Sequence, residues 1–367
     1  MKETNEQITN IIEENYELGK VVELQEIFGG YTSRAFRAVM EKNGGQKSWF
    51  FRKYLKPKPE SEVLFEHNLL LYAKKNGFTK GAVPIAARNG LTFVSKSYDE
   101  AGCMRQIYYT LYEYLQGEEP YDWITNIMPQ KSYLGIASTV AELHNAAFDF
   151  DPCGNNGSEP PILEFIKELP VKFRFYYDGC VAAGMKNCYM DYLGRKLGYL
   201  TETAEQLAHV EIDANRLPVI PIQCDVHPGN FKFIGAECVG MFDFEAAKMD
   251  IRLFELALGV FNCFSSWQKS SDAVIHLNKA KEFLCAYDAR LIELKSGLAL
   301  LTEEETRHFS SALQLSNMYM AQWCLRVYYT DMTNDPDEYF WYLRHMVRSI
   351  EWVDEHKDEI NKMAGKL

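Results

Sequence analysis

The chain changes character once, and that break limits the folds open to it. Up to residue 115 the apolar residues come in short strand-like runs: VVELQEIF (21–28), RAFRAVME (34–41), SWFFRKYL (48–55), LTFVSKS (91–97) and IYYTLYEYL (107–115). Asn43-Gly44-Gly45 between the second and third runs is a hairpin signal, because these residues tolerate the positive φ of a tight turn. One helical pattern interrupts the strands, SEVLFEHNLLLYAKKNG (61–77), with Ser61 as candidate cap and Gly77 as stop. After QGEEP (116–120) the period becomes helical, over roughly 131–148, 162–180, 190–210, 253–264, 272–287, 302–328 and 337–361. Thr302 and Glu305 form a capping box at the head of the 302–328 helix. The 367 residues exceed what one core fills, about 250–300. The expectation is an α+β protein of two lobes, residues 1–115 and 116–367.

The helical half has one exception. In PIQCDVHPGNFKFIGAECVGMFDFEAA (221–247), the runs FKFI and CVGMFDF flank Gly235-Ala236-Glu237 and read as a β-hairpin. Asp225 precedes this hairpin, Asn230 opens it and Asp243 closes it. Phosphoryl transfer needs this combination. One carboxylate accepts the proton of an attacking hydroxyl, while an amide oxygen and a second carboxylate hold the divalent cation that bridges the phosphates. The plainer alternative makes Asp225 and Asn230 turn residues beside Pro228-Gly229, and Asp243 a strand-end acid. Asp243 weighs against it, since it follows an apolar strand where a bare carboxylate is costly.

Charge and cysteine usage narrow the partners. A net charge of −12 and the lack of any run of five basic residues argue against binding nucleic acid or anionic lipid. No apolar stretch approaches the ~18 residues of a membrane span. The nine cysteines include no C-x-x-C pair, so zinc and redox motifs lack support. The polar N-terminus is unlike a signal peptide, and reduced thiols in the cytoplasm are the economical expectation.

CDVHPGN (224–230) followed by GMFDFEAA (240–247) resembles the aminoglycoside phosphotransferase and choline kinase family, small-molecule kinases with the two-lobed protein-kinase-like fold. YEYLQGEEP (112–120) is similar to the family's inter-lobe hinge, VAELHNA (140–146) to the helix before its catalytic loop, and MDIRLFELA (249–257) to the segment after its metal-binding acid. The resemblance implies ATP and Mg²⁺ as cofactors, Asp225 as catalytic base, and Asn230 and Asp243 as magnesium ligands. It also implies that backbone groups around Glu113, Tyr114 and Leu115 hold adenine. Arg52 or Lys53 would supply the cation for the phosphates, with Arg52 favoured; only one can face the cleft, because neighbours on a strand point opposite ways. Glu66 would position that cation. FGGYTSRAFR (28–37) would cover the phosphates, with Ser33 as a contact. His227 would hold the loop.

This chain departs from the family where a His usually stands two residues before the catalytic Asp and Gln223 stands here. Glu255 likewise replaces a common Asp. There is no D-F-G or A-P-E segment, which makes an ordinary protein kinase the weaker reading. Tyr176, Tyr177, Trp267, Trp323 and Tyr328 are candidate walls of an acceptor pocket. Residues 328–350 resemble N-acetylhexosamine kinases, so a sugar or amino sugar ranks first as acceptor, ahead of aminoglycosides, choline-like amino alcohols and homoserine. A kinase-like binding or structural protein without catalysis is the alternative.

Overall fold

The computed structural model describes residues 3–28, 33–55, 58–100, 103–210 and 212–365. Helix α1 (Asn5–Asn15) precedes β1 (Lys20–Ile27), β2 (Ser33–Lys42) and β3 (Gly45–Tyr54); α2 (Glu60–Lys75), β4 (Val94–Glu100) and β5 (Cys103–Glu113) follow. The strands form one antiparallel sheet in the order β1-β2-β3-β5-β4. Side-chain alternation gives this sheet two different faces. Trp49 and Phe51 of β3 join Leu111 of β5 under Ile8, Ile11, Ile12 and Tyr16 of the α1 region. Phe50, Arg52 and Tyr54 face the other way.

The larger lobe contains α3 (Gln130–Ala147), α4 (Ile162–Ala182), α5 (Cys188–Ala208), β6 (Val219–Ile222), β7 (Phe231–Ile234), β8 (Glu237–Met241), β9 (Lys248–Ile251) and α6 (Arg252–Phe264). Helices α7 (Leu277–Glu293), α8 (Glu303–Arg307), α9 (Phe309–Thr330), α10 (Pro336–Glu355) and α11 (Lys357–Ala364) complete it. Every residue of α6 is buried, so this helix is the axis of the lobe. The expected hairpin is β7–β8. A second antiparallel pair, β6–β9, holds the segments that enter and leave the hairpin region. No described helix is long and apolar enough to cross a membrane.

Several boundaries differ from the sequence reading. The 302–328 helix is two helices, since α8 ends at Arg307 and α9 starts at Phe309, and the 337–361 helix likewise splits between Glu355 and Lys357. A His with non-helical backbone stands at each break. Pro59 rather than Ser61 caps α2, and its fixed φ sets the start of the helix. Strand β4 lies at the sheet edge and starts three residues later than the 91–97 run, at Val94, continuing into the polar VSKSYDE. The segment after β5 is fixed to the hairpin by reciprocal backbone hydrogen bonds between Glu118 and Phe233, 2.8 and 2.9 Å. Gly117 permits this approach. Its φ of +107° lies in the left-handed region that glycine alone adopts without strain, and a Cβ there would lie 2.8 Å from the Phe233 carbonyl oxygen.

Arg252 is completely buried at the start of α6. It pairs with Glu305 and donates to the carbonyls of Ala299 (2.6 Å) and Leu300 (3.2 Å), tying α6 to the capping box of α8. Removing one partner of such a pair leaves an uncompensated buried charge. Glu305→Ala is therefore expected to cost about 3–5 kcal/mol, read as a lower denaturant midpoint.

Candidate active site

A cleft of about 1370 Å³ separates the sheet from the helices. Its walls include Arg52, Glu66, Ser33, Glu113, Leu115, Asp225, Asn230 and Asp243, so these separate stretches of sequence meet in one groove. Lys53 does not join them. The β3 pleat turns it to the face beneath α1, where its ammonium is buried against Glu3 at 2.5 Å beside Tyr109. That geometry leaves Arg52 as the β3 cation of the cleft. Residues 29–32 of the expected phosphate loop lie outside the described residues; Ser33 opens β2.

Arg52 is the electrostatic centre of the groove. It donates to Glu66 Oε1 (3.1 Å) on α2 and to Asp243 Oδ1 (2.8 Å) beyond β8. Tyr54 and Tyr112 donate to the two Glu66 oxygens, at 3.0 and 2.9 Å, and His67 Nε2 lies 3.0 Å from the Tyr112 hydroxyl. Burial alone would raise the Glu66 carboxyl, but Arg52 above all overrides it, and the pKa ends below the usual value. Asp243 goes the other way. Burial raises it, Arg52 opposes, and the carboxylates of Glu245, Asp225 and Glu66 push it up further. Lys58, within 3.9 Å of Glu245 on the cleft wall, is a second cation that sequence reasoning missed.

The loop carrying Asp225 is held from behind. Oε1 of the fully buried Glu255 accepts the backbone N–H groups of Gln223 (2.6 Å) and Cys224 (2.9 Å), while Oε2 meets His144. Gln223 donates its amide to the carbonyls of Phe242 (3.0 Å) and Asp243 (2.8 Å), and its Oε1 accepts from Asp225 N (3.2 Å). The amide of Gln223 thus braces the loop from the position where the family usually carries a His, and Glu255 braces it from the core. Cys224 and Asp243 both have positive φ, 64° and 60°. Non-glycine residues keep such conformations where surrounding contacts impose them.

Asn230 Nδ2 donates to the Asp225 carbonyl (2.9 Å) and to Asp225 Oδ2 (2.7 Å), so Oδ1 remains as its outward acceptor. The Asn230 carbonyl accepts from Phe242 N at 3.0 Å, which brings Asn230 and Asp243 to adjacent strand ends. His227 Nδ1 accepts from Gly229 N at 3.1 Å, directing its Nε2 toward Asp225 Oδ2 at 3.6 Å. Burial lowers the pKa of this His, but Asp225, Asp243 and Asp122 outweigh burial and raise it. Among the described residues no cluster of three His, Cys, Asp or Glu is arranged for a metal. The donors here are a carboxylate and an amide oxygen, a set that suits a hard cation sharing its shell with ligand oxygens.

At the hinge, the Glu113 N–H is taken by the Val83 carbonyl (3.0 Å) and its side chain by Lys74 (3.0 Å). Of the five aromatic candidates only Trp323 lines the cleft. Tyr328 is buried and hydrogen-bonded to Asn187, Tyr176 accepts from Gln322, Tyr177 packs on Gly194, and Trp267 stacks on His345. Tyr328 is part of the core and the other three are partly buried against it, Trp267 from the loop after α6. The loop residues Asp122, Trp123 and Glu159 line the cleft instead, with Tyr319 and Arg326.

The sequence profile of the Phosphotransferase enzyme family matches residues 23–288. A homoserine kinase of Afipia carboxidovorans is 25% identical over 277 residues, covering 74% of this chain and 72% of that protein. Among solved structures, a microcompartment-associated aminopropanol kinase has a TM-score of 0.65 at 12% identity, covering 97% of this chain and 99% of the other. A spectinomycin phosphotransferase, solved with ADP and spectinomycin, has a TM-score of 0.64 at 14% identity over 100% of both chains. At these identities the structural likeness establishes the fold, two-lobed and protein-kinase-like.

The network behind Arg52 should be visible in acid. Burial holds His67 at a pKa of about 4, with Arg52 and Lys58 lowering it further against the pull of Glu66. Below pH 6.5 the unfolded chain protonates this His before the folded one does, so stability falls as pH drops from about 6.5 to 4. The loss through His67 is expected to reach ~3 kcal/mol. Urea midpoints across that window should be flatter in His67→Gln than in the unsubstituted protein.

Proposed function

The chain belongs to the Phosphotransferase enzyme family and is a small-molecule phosphotransferase, and from that premise we propose that it transfers the γ-phosphate of ATP to a hydroxyl of an amine-bearing small molecule. The observation that carries the reading is the meeting of Asp225, Asn230 and Asp243 with the Arg52–Glu66 pair in one groove.

Asp225 is the proposed base. Asn230 and Cys224's braced backbone hold its carboxylate in place, half-exposed toward the acceptor side. The acceptor oxygen bonds to the γ-phosphorus, the bond to the β–γ bridging oxygen breaks, ADP leaves with that electron pair, and the hydroxyl proton passes to Asp225. Asn230 and Asp243 would hold Mg²⁺, and the nearness of the Glu245, Asp225 and Glu66 carboxylates to Asp243 supports this assignment. Mg²⁺ in that position supplies positive charge to the phosphate oxygens as they are transferred. Arg52, fixed by Glu66, would meet the phosphates, which takes Asp243 away from its present partner. With the Glu113 N–H committed to Val83, adenine would use the Glu113 carbonyl and the Leu115 N–H.

Asp122 and Glu159 lie among aromatic walls at the acceptor end, which supports an amino sugar or amino alcohol over a neutral sugar. Homoserine and aminopropanol, named for two of the relatives, are both alcohols that carry an amine.

Asp225→Asn should keep nucleotide affinity and lower kcat by at least about 10³-fold. Asp243→Ala should abolish ADP release from Mg·ATP across a panel of amine-bearing alcohols. Normal turnover in the Asp225 variant removes it as the base; no ATP consumption in the unsubstituted protein, with or without an alcohol, leaves a kinase-shaped binding protein.

A further inference from the structure

The acceptor end of the cleft holds a cation, Arg326, that has no ion pair among the described residues. Helix α9 presents Tyr319, Met320, Trp323 and Arg326 to the groove, at the spacing of one helix face. Tyr319 stands at the catalytic loop, 3.7 Å from Cys224 Sγ, and donates to Glu159 at 2.9 Å. Seven residues along the helix, or ~10 Å, lies Arg326. The space between is framed by Trp123, whose ring lies 5.8 Å from Trp323 and 4.8 Å from Tyr342.

The other described basic side chains of the cleft wall each have a carboxylate: Arg52 with Glu66 and Asp243, Lys58 near Glu62 and Glu245, Lys232 with Glu119, Arg37 near Glu23. Arg326 has none among the described residues, although acids outnumber basic residues 51 to 39 in the chain. Its Nε–H is shut off from solvent and has no hydrogen-bond partner. A half-buried guanidinium with an unmet donor destabilises the free protein. A planar carboxylate matches the guanidinium fork through two parallel hydrogen bonds.

We infer that Arg326 anchors a carboxylate of the acceptor, making the substrate a hydroxylated amino acid or amino-sugar acid. Its hydroxyl would lie at Asp225, its ammonium beside Asp122 and Glu159, and its carboxylate on Arg326. The inference rests on the kinase reading above and adds the acidic end of the acceptor.

The test is a panel of L-homoserine, L-serine, 5-hydroxy-L-lysine and D-glucosaminic acid, each against its own primary carboxamide, with ADP release from Mg·ATP as readout. At least one acid should exceed its amide in kcat/KM by about 100-fold or more, because a polar pocket rejects a ligand that leaves its charge unpaired. Arg326→Met should bring that ratio to within a few-fold, mainly through KM, and Arg326→Lys should restore part of it. The melting temperature of Arg326→Met should hold or rise, since the substitution removes an unpaired charge at similar volume; a structural arginine would instead lose stability. Acids refused, or turned over no better than their amides, while Asp225-dependent ATP turnover persists, would overturn the inference and leave the kinase reading intact. An unchanged preference in Arg326→Met, with a melting point lower by several degrees, would overturn it too. Absence of any Asp225-dependent ATP turnover would mean that the kinase reading has failed, and the inference with it.

Discussion

The guanidinium of Arg52 is the contact on which the cleft depends. It joins β3 to α2 through Glu66 and the small lobe to the large one through Asp243. Glu66 and Asp225 both lie close enough to Asp243 to push its pKa up. Without a cation between them their mutual repulsion and their desolvation would push the lobes apart or force protons onto the acids. A guanidinium suits the position because its planar fork reaches two acids in different directions, where an ammonium is a single point of charge. The phenols of Tyr54 and Tyr112 supply the remaining hydrogen bonds to Glu66, so a fully buried carboxylate is satisfied.

Behind this centre the large lobe supplies rigidity. Glu255 reaches from the buried α6 to two consecutive backbone N–H groups, and Gln223 stitches the Asp225 loop to the carbonyls of Phe242 and Asp243. These ties explain how Cys224 and Asp243 keep left-handed backbone conformations without glycine. The loops are shaped by side chains whose own positions are fixed by the core.

Much of this was legible in the sequence. The strand-rich first third and the helical remainder gave the fold class, and the spacing of Asp225, Asn230 and Asp243 with the family motif gave the groove. The choice between Arg52 and Lys53 was not legible, because alternation says only that they differ; strand register and α1 decide which face is which. Tyr54 carried a readable signal, since it stands two residues beyond Arg52 and so shares its face. His67, Lys58 and Arg326 carried none, as their roles arise from contacts distant in sequence. The aromatic candidates failed for the general reason that a large lobe uses aromatics for packing: Tyr328 lies in the core, and Tyr176, Tyr177 and Trp267 pack against it. Helix breaks at His308 and His356 left no glycine or proline to mark them.

The close docking of Gly117 on Phe233 has a mechanical consequence. With Glu118 hydrogen-bonded to the hairpin in both directions, the stretch just past the sheet is tied to the large body. Any rocking of the sheet over the helices must then bend the chain upstream, between Glu113 and Gln116. The fulcrum of the molecule thereby sits at the rim where the purine ring would rest, so that tilting the upper body changes the roof over the phosphates more than the grip on the base.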